Sequence, residues 1–116
     1  MINFTKKKYE QFINNEYSSD DYMGSVYIGA VCADLIFRDE GLLDADFYLL
    51  GKDDGYADIK GIPYSYVDGF SVTICDTYEE TLAKLEKDVE EFIASNKDLA
   101  NGAKETELTW EKVRAN

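Results

Sequence analysis

The residues best placed to do chemistry in this chain are carboxylates. Asp44 and Asp46 sit one residue apart, and Asp53 and Asp54 are adjacent. Hard carboxylate oxygens at such spacings suit Mg²⁺ or Ca²⁺. A calcium loop of the helix–loop–helix type also needs regularly spaced ligands, a central glycine and a closing glutamate, and no window here supplies them. On an extended strand Asp44 and Asp46 point to one side, which fits a solvated strand edge. Glycoside hydrolysis uses two carboxylates at a fixed separation but also needs a sugar cleft, which a chain of this size rarely builds.

The chain has no histidine. That removes Ser-His-Asp and Cys-His catalysis and the commonest transition-metal ligand. Cys75 lies just before an expected helix N-terminus, where a thiol pKa can fall. Asp76, Glu79 and Glu80 surround it and oppose the thiolate. Cys32 and Cys75 have neither the close spacing of a zinc site nor the number of a disulfide scaffold. The glycines fall singly at turns and form no phosphate loop. The sequence therefore predicts a non-enzymatic protein with no catalytic residue, no metal and no cofactor.

The charge is concentrated. Between Glu16 and Glu80 lie 15 Asp and Glu against three basic residues, Arg38, Lys52 and Lys60, in a chain of net charge −12. Most of the tyrosines lie in the same segment. A field of this sign opposes direct binding to DNA, RNA or an anionic membrane, because such binding neutralises phosphates with Lys and Arg. It attracts basic surfaces and speeds encounter with them. Tyr48, Tyr56, Tyr64 and Tyr66 stand among Asp44, Asp46, Asp53, Asp54, Asp58 and Asp68. Tyrosine offers a large contact area at low entropic cost. These ten residues form the expected partner-binding face, with carboxylates in the place of phosphates. The expected partner is a basic nucleic-acid-binding protein. The rival expectation is a protein–protein adaptor or assembly subunit, acidic only for solubility, that binds through an apolar patch around Trp110 and the C-terminal tail.

The elements that must position this face can be read from periodicity. A length of 116 residues and 45 % hydrophobic content predict one domain, 1–116, with a real core. Phe4, Tyr9, Phe12 and Ile13 predict a helix over Thr5–Asn15. Ser25–Phe37 also fits helical spacing, but β-branched residues and the following Asp39-Glu40-Gly41 turn favour a strand, bent at Gly29. Ala45–Leu50 reads as a strand. Asp-Gly at 54–55 marks a tight turn to a return strand at Tyr56–Lys60. Phe70, Val72 and Ile74 alternate with polar residues and predict a further strand. Thr77 and Glu80 form a capping box opening a helix to Ser95, whose stripe is Tyr78, Leu82, Leu85, Val89, Phe92 and Ile93. Glu80 and Lys84 can pair along it. Thr106–Val113 fits either an edge strand or a helical turn. The expected fold is α+β in two layers, an antiparallel sheet of about four strands with an N-terminal helix and a long helix after the last main strand. No signal peptide or membrane span is visible, so the expected location is cytoplasmic.

The stretch Gly51-Lys52-Asp53-Asp54-Gly55-Tyr56, then Gly61-Ile62-Pro63-Tyr64-Ser65-Tyr66-Val67-Asp68-Gly69, then Thr77-Tyr78-Glu79-Glu80 resembles small uncharacterised acidic proteins of phages and conjugative elements of Gram-positive bacteria. The resemblance covers about the middle half of the chain. It implies no activity and no catalytic residues. It points to the trades of such elements, among them inhibition of host restriction and CRISPR nucleases by small, acidic, histidine-poor proteins.

Overall fold

The computed structural model describes residues 2–38, 41–51, 58–96 and 109–114. The chain is α+β, with a six-stranded sheet in which every neighbouring pair is antiparallel. The elements are β1 (Ile2–Asn3), α1 (Lys6–Ile13), β2 (Tyr22–Ile28), β3 (Val31–Arg38), β4 (Leu42–Leu50), β5 (Asp58–Ile59), β6 (Ile62–Ser71), α2 (Tyr78–Ser95) and α3 (Trp110–Arg114). The spatial order of strands is β1-β2-β3-β4-β6-β5.

Six strands replace the expected four for a physical reason. The apolar run Ser25–Phe37 is a hairpin, not one bent strand. Gly29 takes φ 60° at the reversal, the sign a type II′ turn needs at its first central residue. Ala30 after it is fully buried. Nothing polar marks this turn, because its carbonyls find partners inside the protein. Leu50 N donates to Ala30 O at 2.9 Å and Trp110 N to Gly29 O at 3.0 Å.

The return strand is also placed differently. β4 pairs with β6 from Asp44↔Ser71 to Leu50↔Tyr64, and the short β5 lies outside β6, with Asp58↔Pro63 and Ile59↔Ile62. The strand expected at Phe70–Ile74 therefore runs earlier, over Ile62–Ser71. Val72 adds one more backbone bond, to Leu43 O at 2.7 Å, as the chain leaves the sheet. Its burial and that of Ile74 persist because both still pack on the core.

Both long helices start as their caps dictate. Thr5 Oγ1 accepts from Lys8 N, and Thr77 Oγ1 from Glu80 N, each satisfying a first-turn donor. Lys84 pairs with Asp88 at 2.6 Å rather than with Glu80. Ile13 stays exposed, while Phe4, Tyr9 and Phe12 join the core. Tyr9 OH donates to Cys75 O at 2.9 Å and Tyr78 OH to Phe4 O, tying α1 and α2 together.

The sheet has two unlike faces. On the first, Val26, Ala33, Leu35, Leu43, Ala45 and Phe47 meet α1 and α2 in the main core. On the second, a smaller cluster of Tyr27, Ala30, Cys32 and Leu50 is closed by Trp110 and Val113 of α3. That burial settles the terminal segment as a helical turn. The Thr106–Leu108 part of that expectation lies outside the described residues. Among the described residues no helix is long and apolar enough to cross a membrane.

Candidate functional site

The register builds the second face in rows. Directly opposed residues share a side of the sheet. One row is Ser25–Asp34–Asp46–Gly69, the next Tyr27–Cys32–Tyr48–Tyr66, and another Ile36–Asp44–Ser71. Leu50 and Tyr64 complete the end near α3. Five residues expected at a binding face therefore converge here: Asp44, Asp46, Tyr48, Tyr64 and Tyr66. The tyrosines form an edge-on ladder, with Tyr48 5.7 Å from both Tyr64 and Tyr66, ring centre to ring centre. Tyr64 also meets the Trp110 ring at 5.4 Å. Within this ladder Tyr66 stands furthest out of the surface, at 56 % exposure.

The other expected residues are placed elsewhere. Asp58 caps the β5–β6 turn, accepting from Gly61 N at 3.2 Å. Asp68 pairs with Phe47 in the register and so takes a position on the helix side, exposed, where its Oδ1 accepts from Gly69 N at 2.8 Å. Asp53, Asp54 and Tyr56 lie outside the described residues.

The carboxylates of this face are not bare. Arg38, on β3, reaches Asp46 Oδ2 at 2.7 Å, Asp20 Oδ1 at 2.9 Å and Asp44 Oδ2 at 3.4 Å. One guanidinium thus serves three carboxylates, and its hydrogen bond to Asp20 leads the effects that hold its pKa above the ordinary value. Asp44 Oδ1 also accepts from Ser71 Oγ at 3.1 Å. Burial pushes the Asp46 carboxyl up; Arg38 pulls it down, and Asp44 and Asp34 push it up again, with a net rise. Burial, followed by the nearby Asp46, likewise raises the Tyr48 phenol. Asp44, Asp46, Tyr66, Gly69, Phe70 and Ser71 line a polar depression of about 260 Å³. Gly69 keeps it open: a Cβ there would stand 2.8 Å from Ala45 O and 3.1 Å from Asp46 Oδ1.

No known protein family, curated protein or solved structure matches this chain.

A second charged group lies beside the first. Asp34 Oδ1 accepts from Ser25 Oγ at 2.8 Å and from Cys32 Sγ at 3.0 Å, and Arg114 binds both carboxylate oxygens. Tyr22 OH is in hydrogen-bond contact with Ser25 Oγ. Burial, partly offset by that contact, pushes the Tyr22 phenol up to about 12. Burial, then the charge of Asp34, drives the Cys32 thiol far above its ordinary value, so Cys32 is an inert donor. No buried side-chain nitrogen or oxygen in this group lacks a partner, which makes it a structural clasp. Among the described residues no cluster of three or more Cys, Asp or Glu could hold a metal ion.

Sequence reasoning missed Asp20, Asp34, Arg38 and Arg114. Asp34 had a legible signal: a lone carboxylate inside an apolar run must find a cation or donors when buried. Its partner, at the other end of the chain, had none. Trp110 is fully buried, so it forms no apolar patch on the surface.

Proposed function

We propose that the protein is a non-enzymatic acidic inhibitor that presents its second sheet face to the basic groove of a nucleic-acid-binding protein, such as a restriction or CRISPR nuclease. The observation that carries this reading is the convergence of Asp20, Asp44 and Asp46 on a single arginine beside the exposed Tyr66. Three carboxylates against one guanidinium leave an excess of negative charge on a rigid sheet. The sheet also supplies aromatic area, which is where binding energy concentrates in interfaces. The remaining carboxylates, among them the exposed Asp58 and Asp68, extend the field that steers a basic partner. Arg38 spaces and holds the carboxylates while leaving their outer lone pairs to a partner's Lys and Arg.

The test is affinity capture from a bacterial lysate at low salt, with elution by a salt gradient. A nucleic-acid-binding protein released at moderate salt and displaced by added DNA or RNA is the expected result. A partner that survives high salt and ignores nucleic acid would instead establish the adaptor.

A further inference from the structure

Strand β6 is ten residues long, and among the described residues β5 pairs with its first two, Ile62 and Pro63. Among the described residues nothing pairs with the outer side of β6 from Tyr66 to Ser71, and these residues are exposed or half-buried. Unpaired edges are ordinarily blunted by lysine, proline or inward charges. This stretch contains no lysine and no proline; its protections are a bulge opposite Phe47 and Tyr48 and the single Asp68. The Gly69 N–H is held by the carboxylate of the residue before it, at 2.8 Å, a placeholder that an incoming carbonyl can replace.

Depressions flank this edge on both sides of the sheet, and both include Phe70. On the second face lies the polar one, walled by Asp44, Asp46 and Tyr66. On the helix side lies one of about 300 Å³, with Phe70 and Phe92 as its apolar floor and Asp88 and Glu91 on its rim. Successive side chains of a strand point to opposite faces. A strand laid along β6 therefore offers its side chains alternately to the two depressions.

We propose that β6 binds an extended basic segment of a partner protein by strand addition along Tyr66–Ser71. Main-chain hydrogen bonds supply affinity and the alternating depressions supply specificity, as in other cases of added strands. On one side, Lys or Arg meets Asp44 and Asp46 against the Tyr66 ring. On the other, an aliphatic side chain covers Phe70 and Phe92. Displaced from Gly69 N–H, Asp68 adds its carboxylate to the site. Charge chooses the occupant: a second copy of this chain brings its own net −12 and is repelled. The inference rests on the proposed basic partner and names how part of it is held.

The test uses synthetic eight-residue peptides of alternating Arg and Val, alternating Thr and Val, and the Arg–Val peptide N-methylated at every second residue. Binding is read by fluorescence anisotropy, and contact by amide shifts in ¹⁵N NMR. The Arg–Val peptide should bind and shift the Tyr66–Ser71 amides. N-methylation on the pairing side should weaken it by about tenfold or more. Glu91→Lys and Asp68→Lys, both at exposed positions, should each weaken it by about three- to tenfold. Arg-dependent binding with unshifted 66–71 amides would overturn strand addition and leave the basic-partner reading standing. Equal binding of the Thr–Val peptide with those amides shifted would keep the edge and overturn the basic partner. No binding by any peptide overturns the proposal.

Discussion

Arg114 holds Asp34 through two parallel hydrogen bonds, Nη1 to Oδ1 at 2.9 Å and Nη2 to Oδ2 at 3.2 Å, across 80 residues of chain. The same guanidinium stacks 4.7 Å from the Trp110 ring centre. Burial pulls its pKa down, but the hydrogen bonds to Asp34 and Tyr27 outweigh that and hold it above the ordinary value. The C-terminal turn is thereby fastened onto β2 and β3. Bidentate pairs of this kind are among the stronger ones, and both side chains are largely withdrawn from water.

Arg114→Ala leaves the Asp34 carboxylate with only the Ser25 and Cys32 donors. The expected loss is about 2 kcal/mol, read as a lower urea midpoint. Trp110 is the only tryptophan and lies under the guanidinium, so its emission should shift to the red as α3 loosens. Unchanged stability and emission would show that α3 is held by Trp110 alone, through its indole N–H to Ala30 O at 2.7 Å.

The two cysteines should differ in reactivity. Cys32 is fully buried, donates to Asp34 and has its thiol pKa driven up; Cys75 is half-buried. A thiol reagent at neutral pH should label one cysteine in the native protein and two after denaturation. In Cys75→Ser the native signal should vanish. Rapid labelling of Cys32 would mean that the clasp opens readily.

Asp46 fixes the sign of a pH effect. Its folded pKa lies above the ordinary carboxylate value, so between the unfolded and folded values the folded state binds more protons than the unfolded one. Its contribution is then most favourable at acid pH and is lost as pH rises through the folded pKa. Asp46→Asn resembles the protonated form. The stability of this variant relative to wild type should therefore improve as pH rises above the ordinary carboxylate range. Urea unfolding at several pH values measures it, and the opposite slope would mean that Arg38 dominates over burial.

Tyr66 carries the binding prediction. It is the most exposed large hydrophobic side chain of the second face, so Tyr66→Ala should change the unfolding free energy, read from urea titration, by no more than about 0.5 kcal/mol. Retention of the captured partner should fall by about 2 kcal/mol if Tyr66 anchors the interface. Asp20→Lys, at the rim, should mainly slow association and flatten its salt dependence. Both variants behaving as wild type would place the contact face elsewhere.

Features set within a turn or two of chain are legible in the residues alone. The Thr77–Glu80 box and the stripe from Tyr78 to Ile93 specify α2, because capping and amphipathic spacing act locally. The alternation that sets Asp44 and Asp46 on one side follows from the two-residue period of any strand. Strand pairings emerge only from long-range packing. Whether β4 takes Tyr56–Lys60 or Ile62–Ser71 as its neighbour depends on which partner completes both faces, and no local pattern encodes that choice. The Gly29-Ala30 reversal looked apolar because Leu50 and Trp110 satisfy its carbonyls from afar. Arg38 and Arg114 acquire their roles only once the sheet brings Asp44, Asp46 and Asp34 within reach. Charge is written in the composition, but its neutralisation depends on distances of a few ångströms between residues distant in the chain.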